Sequence, residues 1–169
     1  MTKLTFITGG ARSGKSSFAQ KSALNVSENP VYIATARVWD DDFNLRIQKH
    51  KQDRGAEWQT IEEPKYLDKL NLNGETLVLD CITLWLTNIF HDNEYDFDKS
   101  LIEAKNIWSN FSKKNIKVFA VSNELGMGVH AENEVARKFV DLQGFVNQYI
   151  ASVSDEVYLM VSGIPVKIK

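Results

Sequence analysis

At 169 residues, with 43% hydrophobic side chains, the chain has the size and apolar content of one compact domain with a substantial core. Its 20 Lys and Arg stand against 22 Asp and Glu, a formal net charge of −2, so no basic field exists to hold a long nucleic-acid backbone and any bound anion must be caught locally. No apolar stretch is long enough to span a bilayer, the run after Met1 is too short for a signal peptide, and the single Cys81 can form no internal disulfide, so a cytoplasmic protein is expected.

In chain order, short apolar runs alternate with polar segments of helical spacing, which predicts an α/β fold with a mostly parallel sheet flanked by helices. Strands are predicted at residues 4–8, 31–35, 58–61, 76–80, 117–122 and 156–161, with a short last one at 166–168. Helices are predicted at 15–26, 41–53, 82–90, 97–112 and 132–153. Leu101, Ala104, Ile107, Trp108 and Phe111 recur at three- and four-residue spacing, as a helix packed on a sheet requires. No repeat or Pro/Gly/Ser-rich linker divides the chain, so residues 1–169 are expected to form a single catalytic domain, and residues 91–98 a surface connection.

Between the first strand and the first helix lies Gly9-Gly10-Ala11-Arg12-Ser13-Gly14-Lys15-Ser16, which matches G-x-x-x-x-G-K-[ST] at every fixed position. Glycines allow successive backbone N–H groups to turn inward around phosphate oxygens, and the following helix adds its positive end. Lys15 is expected to reach the β- and γ-phosphates, and the Ser16 hydroxyl to ligate the magnesium that travels with the nucleotide. The alternative is a glycine-rich turn that only joins strand to helix. The motif in this context makes the expected fold P-loop NTPase-like.

Thr76-Leu77-Val78-Leu79-Asp80 is an apolar strand ending in a carboxylate, which makes Asp80 a candidate magnesium ligand or, equally, a cap for the next helix. Arg46, His50 and Arg54 follow one another at four-residue spacing along one predicted helix face. A neutral imidazole flanked by guanidinium groups is a competent nucleophile toward a phosphate; the alternative is a solvated face with Asp42 paired to Arg46. His91 and His130 lie in polar stretches and read as surface residues, whereas Trp39, Trp58, Trp85 and Trp108 read mainly as core.

The run from Phe6 to Ser16 resembles the opening of the bifunctional adenosylcobinamide kinase/adenosylcobinamide-phosphate guanylyltransferases of cobalamin synthesis. Tyr32-Ile33-Ala34-Thr35-Ala36, Arg46-Ile47 with His50 and Arg54, Trp58 with Thr60 and Glu62, and Leu79-Asp80-Cys81-Ile82-Thr83 with Asn88 occur in that family's order. Asn123-Glu124-Leu125-Gly126-Met127-Gly128 and Val161-Ser162-Gly163-Ile164-Pro165 are similar to its closing motifs. Two departures are Gly55, where the family commonly has proline, and His130-Ala131, where it commonly has Val-Pro.

The resemblance implies phosphorylation of the adenosylcobinamide hydroxyl by GTP or ATP with Mg2+, then transfer of GMP from GTP onto adenosylcobinamide phosphate through a covalent histidine matching His50. It carries nucleotide contacts to residues 9–16, to Thr35, Ala36 and Arg37, to Lys51, Gln52, Asp53 and Arg54, and to Glu62 and Asp80. It also implies a homotrimer. Two rivals remain open on the residues alone: a small-molecule P-loop kinase in which His50 is inert, and a GTP-dependent switch protein.

Overall fold

The computed structural model describes residues 2–37 and 55–169. In chain order these form β1 (Lys3–Gly9), α1 (Lys15–Leu24), β2 (Val31–Ala34), β3 (Gln59–Glu62), a 3-10 turn (Leu67–Lys69), β4 (Thr76–Asp80), α2 (Ile82–Asp92), α3 (Phe97–Phe111), β5 (Lys117–Val121), α4 (Glu134–Val153), β6 (Glu156–Val161) and β7 (Ile164–Lys167). The predicted helix at 41–53 lies outside the described residues. The last helix begins later than predicted because Asn133 caps it, its side chain accepting from the Ala136 amide at 2.8 Å. The predicted connection at 91–98 shrinks to residues 93–96, since α2 runs on to Asp92.

All the strands join one seven-stranded sheet of order β3-β2-β4-β5-β1-β6-β7, parallel throughout except for antiparallel β7. Side chains alternate between two cores, as the pleat dictates. Leu4, Phe6, Val31, Ile33, Leu77, Leu79, Val118 and Ala120 pack with α2, α3 and α4, while Ile7, Tyr32, Val78, Phe119 and Val121 pack with Ala19 and Ala23 of α1. Strands buried on both faces read as continuous apolar runs, which is why they were legible.

The predicted stripe on α3 is core: Ala104, Ile107, Trp108 and Phe111 are buried, and Leu101 packs at the margin. Trp85 and Trp108 lie in the same core with ring centroids 6.2 Å apart, and Trp58 stands edge-on to Tyr32 at 5.9 Å. Trp39 lies outside the described residues.

Candidate phosphate and metal site

Because the strands are parallel, β1, β2, β4 and β5 deliver Gly9, Thr35, Asp80 and Ser122 to one edge, where ligands of open α/β sheets bind. β5 separates β4 from β1. Asp80 and Ile7 both register with Val121, so their Cα atoms stand two strand spacings apart, roughly 10 Å.

The phosphate loop starts at Gly9, where a Cβ would stand 2.6 Å from the Met160 carbonyl oxygen, so only glycine fits. It ends at Gly14, which caps α1 with φ 91° and brings no side-chain acceptor to the first-turn amides. Those N–H groups carry the helix's positive end and suit an anion. Residues Arg12 to Ser17 line a cavity of about 280 Å³ there. The Ser13 hydroxyl, in the same cavity lining, is buried and has no hydrogen-bond partner among the described residues. Lys15 is 7% exposed and donates to the Gly10 carbonyl at 2.6 Å. Burial pushes its pKa below the ordinary lysine value, against the opposing pull of Cys81 and Asp80.

Asp80 shares a sheet face with Val78 and Tyr32, the face that α1 covers. The Tyr32 hydroxyl donates to Asp80 Oδ2 at 2.7 Å. The capping of α2 belongs to Cys81, whose Sγ accepts from the Leu84 amide at 3.5 Å, so Asp80 is not that helix's cap. The Asp80–Cys81 peptide is cis. Ser16 and Asp80 offer hard oxygen donors of the kind magnesium takes, and among the described residues no group of three or more His, Cys, Asp or Glu could hold a metal without substrate. One carboxylate and one hydroxyl, completed by nucleotide phosphates and water, is the usual magnesium arrangement in phosphoryl transfer.

The next loop is bolted down from below. The Glu124 amide donates to the Gly9 carbonyl at 3.0 Å, and the Asn123 amide to Thr83 Oγ1 at 3.0 Å. Beneath it, Ser122 donates to Asn147 Oδ1 at 2.7 Å, Gln143 donates to both, and Asn147 Nδ2 donates to the Asn123 carbonyl at 3.1 Å. A buried network with so many bonds made fixes one loop conformation.

The family model described as cobinamide kinase / cobinamide phosphate guanyltransferase matches residues 5–168. The chain belongs to that family. The bifunctional adenosylcobalamin biosynthesis protein CobU of Escherichia coli (strain K12) is 38% identical over 181 residues, covering 98% of this chain and 99% of that protein. The CobP protein of Pseudomonas aeruginosa, whose name is otherwise the same, is 36% identical over 171 residues, covering 96% and 95%. The flagellar accessory protein FlaH of Methanocaldococcus jannaschii aligns with a TM-score of 0.47 at 13% identity, over 99% of this chain and 78% of that one, too distant to argue from.

In this cobinamide kinase / guanyltransferase fold, the remaining residues expected to contact nucleotide fall as follows. Gly10, Ala11 and Arg12 form the exposed crest of the phosphate loop, Arg12 with φ 55°. Thr35 is fully buried; its hydroxyl donates to the Cys81 carbonyl at 2.7 Å and accepts from the Cys81 amide at 2.9 Å, tying the ends of β2 and β4 together. Asn88 holds the Thr35 carbonyl at 2.8 Å. Ala36 is half-buried, and Glu62 is exposed at the end of β3. Arg37 makes a bidentate pair with Asp92 at 2.6 and 2.9 Å. Lys65 braces Asp92 at 3.3 Å and Glu103 at 3.0 Å. His91 and His130 are exposed, as expected of surface residues. His50, Lys51, Gln52, Asp53 and Arg54 lie outside the described residues. Sequence reasoning placed Tyr32 and Ser162-Gly163 only within runs resembling the family and gave neither a role; the structure has Tyr32 holding Asp80 and the Gly163 amide reaching the phosphate loop. The signals were there: Tyr32 lies on the face of β2 that alternation aligns with Asp80, and Ser-Gly between Val161 and Ile164 is a turn dipeptide.

Proposed function

We propose that this protein phosphorylates the hydroxyl of adenosylcobinamide with GTP or ATP, then transfers GMP from GTP to the product, giving adenosylcobinamide-GDP and pyrophosphate. The observation that carries the reading is the cradle of residues 9–16 on the sheet edge that also bears Asp80, in a chain matched by that family along residues 5–168. In the kinase step, the first-turn amides of α1 orient the phosphates. Lys15 exchanges the Gly10 carbonyl for a phosphate oxygen, placing its charge where negative charge is held during transfer. Mg2+ bound with the nucleotide would neutralise phosphate charge, held by Ser16 and Asp80.

In the second step, a neutral His50 nitrogen bonds to the α-phosphorus of GTP and pyrophosphate leaves. The histidine then carries GMP as a phosphoramidate. A phosphate oxygen of adenosylcobinamide phosphate displaces the histidine and returns it free. Arg46 and Arg54, each four residues from His50 in the sequence, would favour the anionic substrate in this reading. Arg37, Lys51, Gln52, Asp53 and Glu62 complete the nucleotide contacts in this reading, and the working form is a cytoplasmic homotrimer.

Intact-mass spectrometry after incubation with GTP and Mg2+ tests it, together with chromatography of the corrinoid products. Wild type is expected to gain the mass of GMP. His50→Ala is expected to gain none, to form no adenosylcobinamide-GDP, and still to make adenosylcobinamide phosphate. An adduct on both proteins, or on neither while the GDP product forms, removes His50 as the nucleophile.

A further inference from the structure

β6 and β7 form a hairpin closed by Ser162 and Gly163, with φ 50° and 86°, and Val161 pairs with Ile164 across it. Two positive-φ residues give the turn whose twist matches the flanking strands. β7 adds little to the core: Ile164 is 66% and Val166 46% exposed. What the turn touches is the phosphate loop.

The Gly163 N–H donates to the Ser13 carbonyl at 3.0 Å. The two backbones approach so closely that a Cβ on Gly14 would stand 3.2 Å from Gly163 Cα. A trans peptide is planar, with its C=O and N–H pointing to opposite sides. Anchoring the Ser13 carbonyl to the hairpin therefore aims the N–H of the same peptide, that of Gly14, away from the hairpin. That amide opens a helix with no side-chain cap.

We infer that Gly163 is a positioning residue for nucleotide: the Ser162-Gly163 turn clamps the Ser13-Gly14 peptide so that the Gly14 amide, and the first-turn amides behind it, face the phosphates. The antiparallel strand is the lever that delivers the clamp. This rests on the phosphate-loop reading above.

The test compares three variants of the full chain by direct titration with a fluorescent GTP analogue and by thermal melting, with KM and kcat measured beside them. Gly163→Val puts a β-branched residue where φ is 86°, which such side chains resist. Both Gly163 variants keep the backbone amide, but asparagine tolerates that region. Val166→Gly weakens β7 away from the turn. Gly163→Val is expected to weaken nucleotide binding by about tenfold or more, the scale of one lost hydrogen bond to an anion, with KM rising in step and kcat changing less. Gly163→Asn is expected within about threefold of wild type, and Val166→Gly is expected to lower the melting temperature without weakening binding. Unchanged binding by a folded Gly163→Val protein overturns the inference, as does an equal loss of affinity in Val166→Gly. Should Gly163→Val not fold, Gly163→Ala carries the same criteria with milder strain. Failure of the wild type itself to bind nucleotide would overturn the phosphate-loop reading instead.

Discussion

Replacing Lys15 by Met removes one ammonium and keeps an apolar stem of similar length. The ammonium is buried, donates to the Gly10 carbonyl at 2.6 Å, and is desolvated enough to lower its pKa from the ordinary 10.5. A lysine whose folded pKa is lowered binds fewer protons folded than unfolded between the folded value and 10.5, so its effect on stability improves as pH rises through that window. In Lys15→Met that rise disappears, and below the window the variant should melt no lower than wild type. The Gly10 carbonyl it leaves is exposed and can turn to water.

Catalysis should respond in the opposite sense. A charge-assisted contact made in the transition state is worth about 3 kcal/mol, which at about 1.36 kcal/mol per tenfold is about 150-fold in kcat/KM for the kinase step. Steady-state phosphorylation of adenosylcobinamide beside calorimetric melts from neutral pH to pH about 10.5 checks both halves. A folded Lys15→Met protein working within about threefold of wild type would refute the assignment of Lys15 to the transferring phosphate.

Asp80→Asn should raise the magnesium concentration needed for nucleotide binding, with partial recovery at high magnesium; an unchanged titration would dismiss Asp80 as a ligand. Tyr32→Phe removes only the hydroxyl that holds Asp80 Oδ2 and should shift the same titration by about tenfold in the same direction while costing about 1 kcal/mol of stability. A shift in neither protein would detach the pair from metal binding. Asp92 is held down to about 2, first by the Arg37 hydrogen bond and then by Lys65, against an ordinary 3.8. The unfolded chain therefore binds more protons between those values, and the stability Asp92 confers is complete above 3.8 and lost as pH falls toward about 2. Asp92→Asn should cost about 1 kcal/mol at neutral pH and flatten that acid limb; parallel acid-unfolding curves would contradict the pairing.

The alternation of apolar runs and helical stripes was readable because β1, β4 and β5 are buried on both faces, and the phosphate loop was readable because its glycines answer to local backbone geometry. Pairing between distant strands leaves no comparable local trace. Nothing in Lys117-Val118-Phe119-Ala120-Val121 says that it lies between β1 and β4, yet that insertion sets the separation of Gly9 from Asp80. The two meanings of Asp80 could not be separated in sequence because a metal ligand and a helix cap both sit at a strand end. The cap fell to Cys81, a residue type with little capping preference. Arg37 came into view only through the resemblance, and nothing in the sequence pointed to its partner Asp92, which lies at the far end of α2.

The position of β1 between β5 and β6 has a consequence for biosynthesis. Lys3 pairs with Lys117 and Gly9 with Met160, so both neighbours of the strand that carries the phosphate loop are translated long after it. A nascent chain of the first hundred or so residues holds the complete Gly9 to Ser16 motif but neither flanking strand, neither the Glu124 amide on Gly9 nor the Gly163 amide on Ser13. Closing such long loops is a slow, non-local event. Nucleotide capture should therefore be among the last properties the polypeptide acquires on leaving the ribosome, and a fragment bearing the motif alone should ignore GTP.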